Sequence, residues 1–164
     1  MMDPQSRPGI MHLLGLGIEM IALIQRVTEA SVAVAGEVRG CIGPGLLVLL
    51  AVQPDDNPAK VSKMAKKVLN YRVFGDFAGK MNESLLDQGL QLLVVPQFTL
   101  AADTRKGARP SFTSAASPEK GNEYFEMFVT ECGSHLQGIE KGVFGANMQV
   151  SLVNDGPVTF WLEA

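Results

Sequence analysis

Few residues in this chain have the type and setting that catalysis by side chains requires. A serine-type triad needs a histidine base, and the sequence offers His12 and His135. His12 lies in an opening segment unlike the rest of the chain. His135 stands near the end of a polar helical stretch, between Gly133 and Gly138, where a surface histidine is expected. No G-x-S-x-G elbow, H-E-x-x-H pair, P-loop or G-x-G-x-x-G turn occurs. Two cysteines, Cys41 and Cys132, make neither a disulfide framework nor a C-x-x-C pair. They are expected to be reduced and mostly buried, as in a cytoplasmic protein. With two histidines and two cysteines no zinc cluster forms, and the sequence calls for no metal and no cofactor. Any hydrolysis must therefore lean on something other than a side-chain base.

Two short segments draw attention instead. Pro96-Gln97-Phe98-Thr99-Leu100 directly follows an apolar strand, and so sits at a strand end. On pattern alone Gln97 is a turn residue, Phe98 and Leu100 are core, and Thr99 is a satisfied hydroxyl. The second segment is Asn154-Asp155-Gly156-Pro157-Val158-Thr159. On pattern alone it is a hairpin turn whose proline ends the ladder.

The elements that must hold these segments follow from periodicity. Ile21–Val27 and Ser31–Ala35 read as β structure, with Gly36-Glu37 as a hairpin turn and Glu37–Cys41 returning. Gly45–Val52, apolar on both faces, reads as a buried strand. Asn57 then caps a helix with Pro58 at its first position, running to about Tyr71 with Val61, Met64, Ala65, Val68 and Leu69 inward. Arg72–Phe74 and Gly89–Val95 are further strands. The stretch from Ala102 to Ser117 is too long for a simple connector, which makes it a candidate functional loop. Ser117 caps a second helix, and Met148–Val153 and Val158–Leu162 are strands hinged at the Gly-Pro segment. The expectation is one compact α/β domain over residues 20–164, with a mixed β-sheet and helices packed on one side.

Residues 1–19 hold two prolines and three glycines without sustained periodicity, and are expected to be a disordered or non-native extension. They lack the basic start and cleavage site of a signal peptide. The apolar run Ile42–Val52 is broken by Gly43, Pro44 and Gly45, and is too short to cross a bilayer, so no membrane partner is expected. A net charge of -3 argues against non-specific coating of nucleic acid. A local basic face remains open: Lys60, Lys63 and Lys67 recur at helical spacing with Lys66 beside them, either to grip an RNA end or simply as a solvated helix surface.

Taken together, the two segments resemble the signature motifs of the D-aminoacyl-tRNA deacylase family, Ser-Gln-x-x-Leu and Asn-x-Gly-Pro-Val-Thr. The resemblance runs through nearly all of residues 20–164, including Ile24-Gln25-Arg26-Val27, Lys80-Met81-Asn82 and Arg109-Pro110-Ser111-Phe112. It implies a homodimer with active sites at the subunit interface, hydrolysing the ester of D-aminoacyl-tRNA. It also implies activity on glycyl-tRNA, such as glycine mischarged on the alanine tRNA. In relatives the Gly-Pro peptide is cis and reaches into the partner's active site, so that the carbonyl oxygens of Gly156 and Pro157 would take the substrate's ammonium. Arg26 resembles the arginine that braces this loop, with Asn154 supporting it. Main-chain groups of Gln97, Phe98 and Thr99 would hold the oxyanion, assisted by the terminal ribose 2′-hydroxyl; on charge, Arg109 and the lysine row are the candidate tRNA contacts. Thr99 as nucleophile is disfavoured, because no base is visible to activate it. Pro96 departs from the family's serine and removes both a hydroxyl and an N–H. The alternative is a non-catalytic nucleic-acid-binding module on the same fold.

Overall fold

The computed structural model describes residues 19–112 and 115–164. Apart from Glu19, the proposed N-terminal extension lies outside them. Strand β1 (Ile21–Val34) reverses into β2 (Glu37–Ile42) at Ala35-Gly36, where both residues take positive φ, 50° and 80°. Positive φ at two successive positions belongs to a type I′ turn, whose twist matches that of the flanking strands. The expected turn at Gly36-Glu37 is therefore one residue too late; the strand twist imposes a left-handed conformation on Ala35 as well.

After β2 come β3 (Gly45–Ala51), helix α1 (Pro58–Asn70), the small hairpin β4 (Phe74–Gly75) and β5 (Met81–Glu83), and the single turn of helix α2 (Leu85–Gln88). Then follow β6 (Gln91–Pro96), a 3-10 turn (Phe98–Ala101), α3 (Pro118–Gly133), β7 (Ile139–Lys141) and β8 (Met148–Glu163). The main sheet runs β2-β1-β3-β6-β7, with β8 on the other side of β1. β3, β6 and β7 are parallel neighbours, whereas β1 is antiparallel to β2, β3 and β8. The mixed sheet expected from sequence is thus present. Elements too short to leave a periodic trace, α2, β7 and the 3-10 turn, were not foreseen.

Alternation along the strands separates two cores. Ala22, Ile24, Leu46, Val48, Leu50, Leu92 and Val94 face the helices, where α1 contributes Val61, Met64, Ala65 and Val68 and α3 contributes Phe125, Phe128 and Cys132. Burying each of the two phenylalanines contributes roughly 1.5–3 kcal/mol. The opposite face, with Leu47, Leu93 and Val95, is covered by Val27, Ala30 and Val32 from the far half of β1. β1 crosses from one core to the other at its register shifts between Gln25 and Glu29. Both helices therefore lie on one side, and the curled end of the sheet closes the other.

The helix caps follow the sequence. Asn57 accepts from the Lys60 N–H at 2.9 Å and Ser117 from the Lys120 N–H at 3.2 Å, each followed by a proline that has no N–H to lose.

Candidate active site

β6 ends at Pro96, which pairs in parallel register with Leu50. The Leu50 carbonyl accepts from the Gln97 N–H at 2.8 Å, after which the chain tightens into the 3-10 turn. The opening N–H groups of a helical turn have no partner within the turn. Those of Phe98 and Thr99 meet no protein acceptor among the described residues, whereas the Gln97 N–H is consumed by the sheet. Two adjacent donors, rather than three, are thus available at the strand end. The Gln97 side-chain amide donates to Thr99 Oγ1. An amide takes up no proton at neutral pH, so this contact orients the hydroxyl without activating it. Phe98 is 58 % exposed, correcting its assignment to the core: the turn rotates its ring outward.

A cavity of about 540 Å³ opens beside these donors, lined by Pro96, Gln97, Phe98, Phe112, Phe125 and Phe144, among others. Its size and aromatic walls suit a small organic group such as a nucleoside. One wall depends on a glycine. A Cβ on Gly121 of α3 would stand 2.9 Å from Cζ of Phe144, so the Phe144 ring lies on the helix because that side chain is missing. Phe144 carried no periodic signal and was missed from sequence, while Phe112 was named only within the resembling loop segment and given no place at a site; a glycine inside a helix was the available hint of close approach.

The long stretch after Ala102 is a loop closed by a bridge. Asp103 and Ser111 exchange two backbone hydrogen bonds at 2.9 Å each, and Arg105 binds the Asp103 carboxylate through Nε at 2.9 Å and Nη2 at 2.7 Å. At its neck, the Phe98 and Phe112 rings meet with centroids 5.3 Å apart.

The second signature segment is no hairpin. Asn154 pairs with Val27 and Thr159 with Gln25, so residues 155–158 bulge out of a ladder that β8 makes with β1 on both sides. Arg26 is the single β1 residue opposite that bulge. Its Nε donates to the Asp155 carbonyl at 3.2 Å and pairs with Asp155 Oδ2 at 3.4 Å, while Nη1 donates to the Val73 carbonyl at 2.7 Å. Asn154 ties the two ends of the bulge together: Nδ2 donates to Thr159 Oγ1 at 2.8 Å, and Oδ1 accepts from the Val158 N–H at 3.1 Å. The Gly156–Pro157 peptide is cis, and both residues are exposed. None of residues 154–158 is among the described residues lining the cavity. The sequence-predicted site residues therefore form two constellations: Gln97 and Phe98 lining the cavity with Thr99 next to them in the 3-10 turn, and Arg26, Asn154, Gly156 and Pro157 at the bulge.

Of the lysine row on α1, Lys60 lies 3.9 Å from the buried Asp56 carboxylate and Lys67 donates to the Glu163 carbonyl at 2.9 Å, leaving Lys63 and Lys66 exposed. Arg109 is exposed in the bridged loop. His135 is exposed just beyond α3. Cys132 is buried, and burial pushes its thiol up to about 12. Cys41 is exposed, contrary to expectation, because it points outward from β2.

The sequence and the fold are those of a known family. Residues 23–163 match the family model described as D-Tyr-tRNA(Tyr) deacylase, and the chain belongs to that family. It is 56 % identical over 144 residues to a D-aminoacyl-tRNA deacylase of Klebsiella pneumoniae, covering 88 % of this chain and 99 % of the relative. A D-aminoacyl-tRNA deacylase of Escherichia coli matches with the same identity and coverage. Among solved structures, the c-Myc DNA Unwinding Element Binding Protein superposes with a TM-score of 0.83 at 40 % identity, covering 88 % of this chain and 98 % of the other. A probable eukaryotic D-amino acid tRNA deacylase superposes with a TM-score of 0.81 at 14 % identity over 90 % and 100 % of the two chains, a likeness of fold alone. With its family the chain is a hydrolase acting on the ester bond of D-aminoacyl-tRNA.

Proposed function

We propose that the chain works as a homodimer, in which the cavity of one subunit receives the aminoacylated 3′ end of tRNA and the Gly156–Pro157 bulge of the other reads the handedness of the amino acid. One observation carries this reading. The two constellations are each built and braced, yet the bulge does not line the cavity of its own chain. A second copy would complete the site. The outer edge of β8 supports such a contact, since β1 is its only neighbour in the sheet among the described residues and Val153, Phe160 and Trp161 are 48 %, 37 % and 46 % exposed. An open edge bearing large apolar side chains favours association.

In this site the carbonyl oxygens of Gly156 and Pro157 accept from the substrate's α-ammonium. With the ammonium and the ester carbonyl both fixed, the side chain of a D-residue points to open space and that of an L-residue into the bulge. Recognition through main-chain atoms ignores side-chain identity, and glycyl-tRNA, which has nothing to exclude, is also a substrate. The Phe98 and Thr99 N–H groups hold the oxyanion that develops as water adds to the ester carbon. One such donor typically contributes about a hundredfold to a thousandfold in kcat. The ester bond to the ribose oxygen then breaks, assisted by the neighbouring 2′-hydroxyl, releasing the D-amino acid and tRNA. Lys63 and Arg109 supply exposed cations for the RNA.

The deciding experiment follows D-tyrosyl-tRNA and L-tyrosyl-tRNA in parallel, with chelator present. Release from the D-form alone is expected. Equal release from both would remove the gate. tRNA binding without any release would favour the competing reading, a nucleic-acid-binding module, for which the name of the 40 % identical structure is the motive.

A further inference from the structure

The cavity does not end at its lining. At its mouth stand two exposed aromatic rings, Phe98 at 58 % and Phe112 at 41 %, tilted by 56° against one another. A lone exposed phenylalanine is ordinary. Here the pair closes the neck of a loop whose charge is opposite to that of the chain. Between Asp103 and Ser111 lie Arg105, Lys106 and Arg109, and Asp103 is the only carboxylate in that span. Three cations against one anion leave a local charge of +2, on a chain of net charge -3. Arg105 is held by Asp103. Lys106 and Arg109 are exposed and make no ion pair among the described residues. By contrast, the lysines at both ends of the α1 row are engaged, Lys60 with Asp56 and Lys67 with Glu163.

Resting on the reading above, we infer that Phe98, Phe112, Lys106 and Arg109 form a second subsite for the penultimate, unpaired nucleotide of the tRNA acceptor end. Its base lies on the Phe112 ring and its phosphate against Lys106 and Arg109. Rings that stack bases beside cations that meet phosphates are how proteins hold single-stranded nucleic acid without reading sequence. The position fits: Phe98 and Phe112 both line the catalytic cavity, so a nucleotide leaving it passes over them first. The subsite gives the enzyme affinity for the RNA end that is independent of the amino acid, as a proofreader of many amino acids requires.

The test compares three substrates carrying the same ester: 3′-D-tyrosyl-adenosine, the D-tyrosyl dinucleotide CpA, and full D-tyrosyl-tRNA. For the native protein, adding the penultimate cytidine should raise kcat/KM by about tenfold or more, the scale of one stacked base. In Phe112→Ala the ratio of dinucleotide to mononucleotide should fall to near one; Phe112→Leu keeps the apolar bulk should the alanine variant fold poorly. Lys106→Ala with Arg109→Ala should flatten the salt dependence of that ratio. A native ratio near one, or a ratio unchanged in both Phe112 variants, would overturn the subsite. So would a monomeric Phe112→Leu protein in sedimentation, because the rings would then belong to the subunit contact. If the native protein cleaved none of the three, the deacylase reading itself would fail and this inference with it.

Discussion

Arg26 donates to the main-chain oxygen of Asp155 while its other branch holds the Val73 carbonyl, so one guanidinium ties the Gly-Pro bulge to the segment leading into β4. Only a planar fork reaches both acceptors in fixed directions. Arg26→Lys keeps the charge but gives up one of the two anchors. We expect kcat/KM for D-tyrosyl-tRNA to fall about tenfold, with a small change in Tm. An unaltered rate would mean that the bulge holds its shape through Asn154 alone.

Gly156 carries a second constraint. Its φ is +128°, and a Cβ there would lie 2.7 Å from Val158 Cγ2 and 3.1 Å from Arg26 Nη2. Gly156→Ala should therefore displace the bulge and lower D-specific turnover by at least about tenfold. The exposed position keeps the loss of Tm to a few degrees at most. Phe98→Pro is the complementary lesion: it removes one free N–H at the first position of a helical turn, where proline is tolerated. Each variant alone should keep at most about a tenth of native activity. Mixed in equal amounts and allowed to exchange subunits, they should recover about a quarter of native activity, since half the dimers are mixed and each has one intact site. No recovery despite exchange would place gate and cavity within the same chain.

Gly121 tests the cavity wall. An added methyl meets Cζ and Cε2 of Phe144 at 2.9 and 3.2 Å, and a ring that yields towards the cavity narrows it. Gly121→Ala should thus raise KM for tRNA substrates severalfold while the fold survives. A fall in Tm with unchanged KM would instead mean that Phe144 moves outward.

How much of this was legible in the sequence depends on the range of the forces involved. Helix α1 was readable from Asn57 to Tyr71, because its cap, its first proline and its apolar stripe are all local features. The apolar runs of β3 and β6 were legible for the same reason. The bulge was not: Asn154 to Thr159 carries the turn chemistry of a hairpin, and only its pairing with Gln25 and Val27, over a hundred residues away, makes it an excursion within one strand. Phe98 was misplaced because a 3-10 turn reverses the alternation expected of a strand end. The resemblance named candidate site residues; it did not reveal that the Gln97 N–H is spent on Leu50. The Phe98–Phe112 pair joins two segments on either side of a bridged loop, and no periodicity connects them.

Asp56 offers a test through pH. Its side chain is fully buried, with Oδ2 accepting from the Gln53 N–H at 2.7 Å and Oδ1 lacking a hydrogen-bond partner, as does the buried Gln53 Oε1. Burial raises its carboxyl from 3.8 to about 6, against the lowering influence of the Gln53 N–H and the Lys60 and Lys120 charges. The folded state therefore binds this proton more tightly than the unfolded chain. Its contribution is largest below the unfolded pKa and is lost as pH rises through the window from 3.8 to about 6. The full displacement corresponds to at most about 3 kcal/mol, and solvent screening reduces the cost of the ionised carboxylate at neutral pH below that. Asp56→Asn keeps the acceptor for Gln53 and replaces Oδ1, which has no hydrogen bond, with an uncharged N–H₂, giving up the 3.9 Å ion pair with Lys60. The variant should be more stable than the native protein at about pH 7 and lose that advantage towards about pH 4. Paired thermal unfolding curves across that range measure the difference directly. A gap that stays constant with pH would mean that Asp56 does not titrate in the window, and that water reaches its carboxylate.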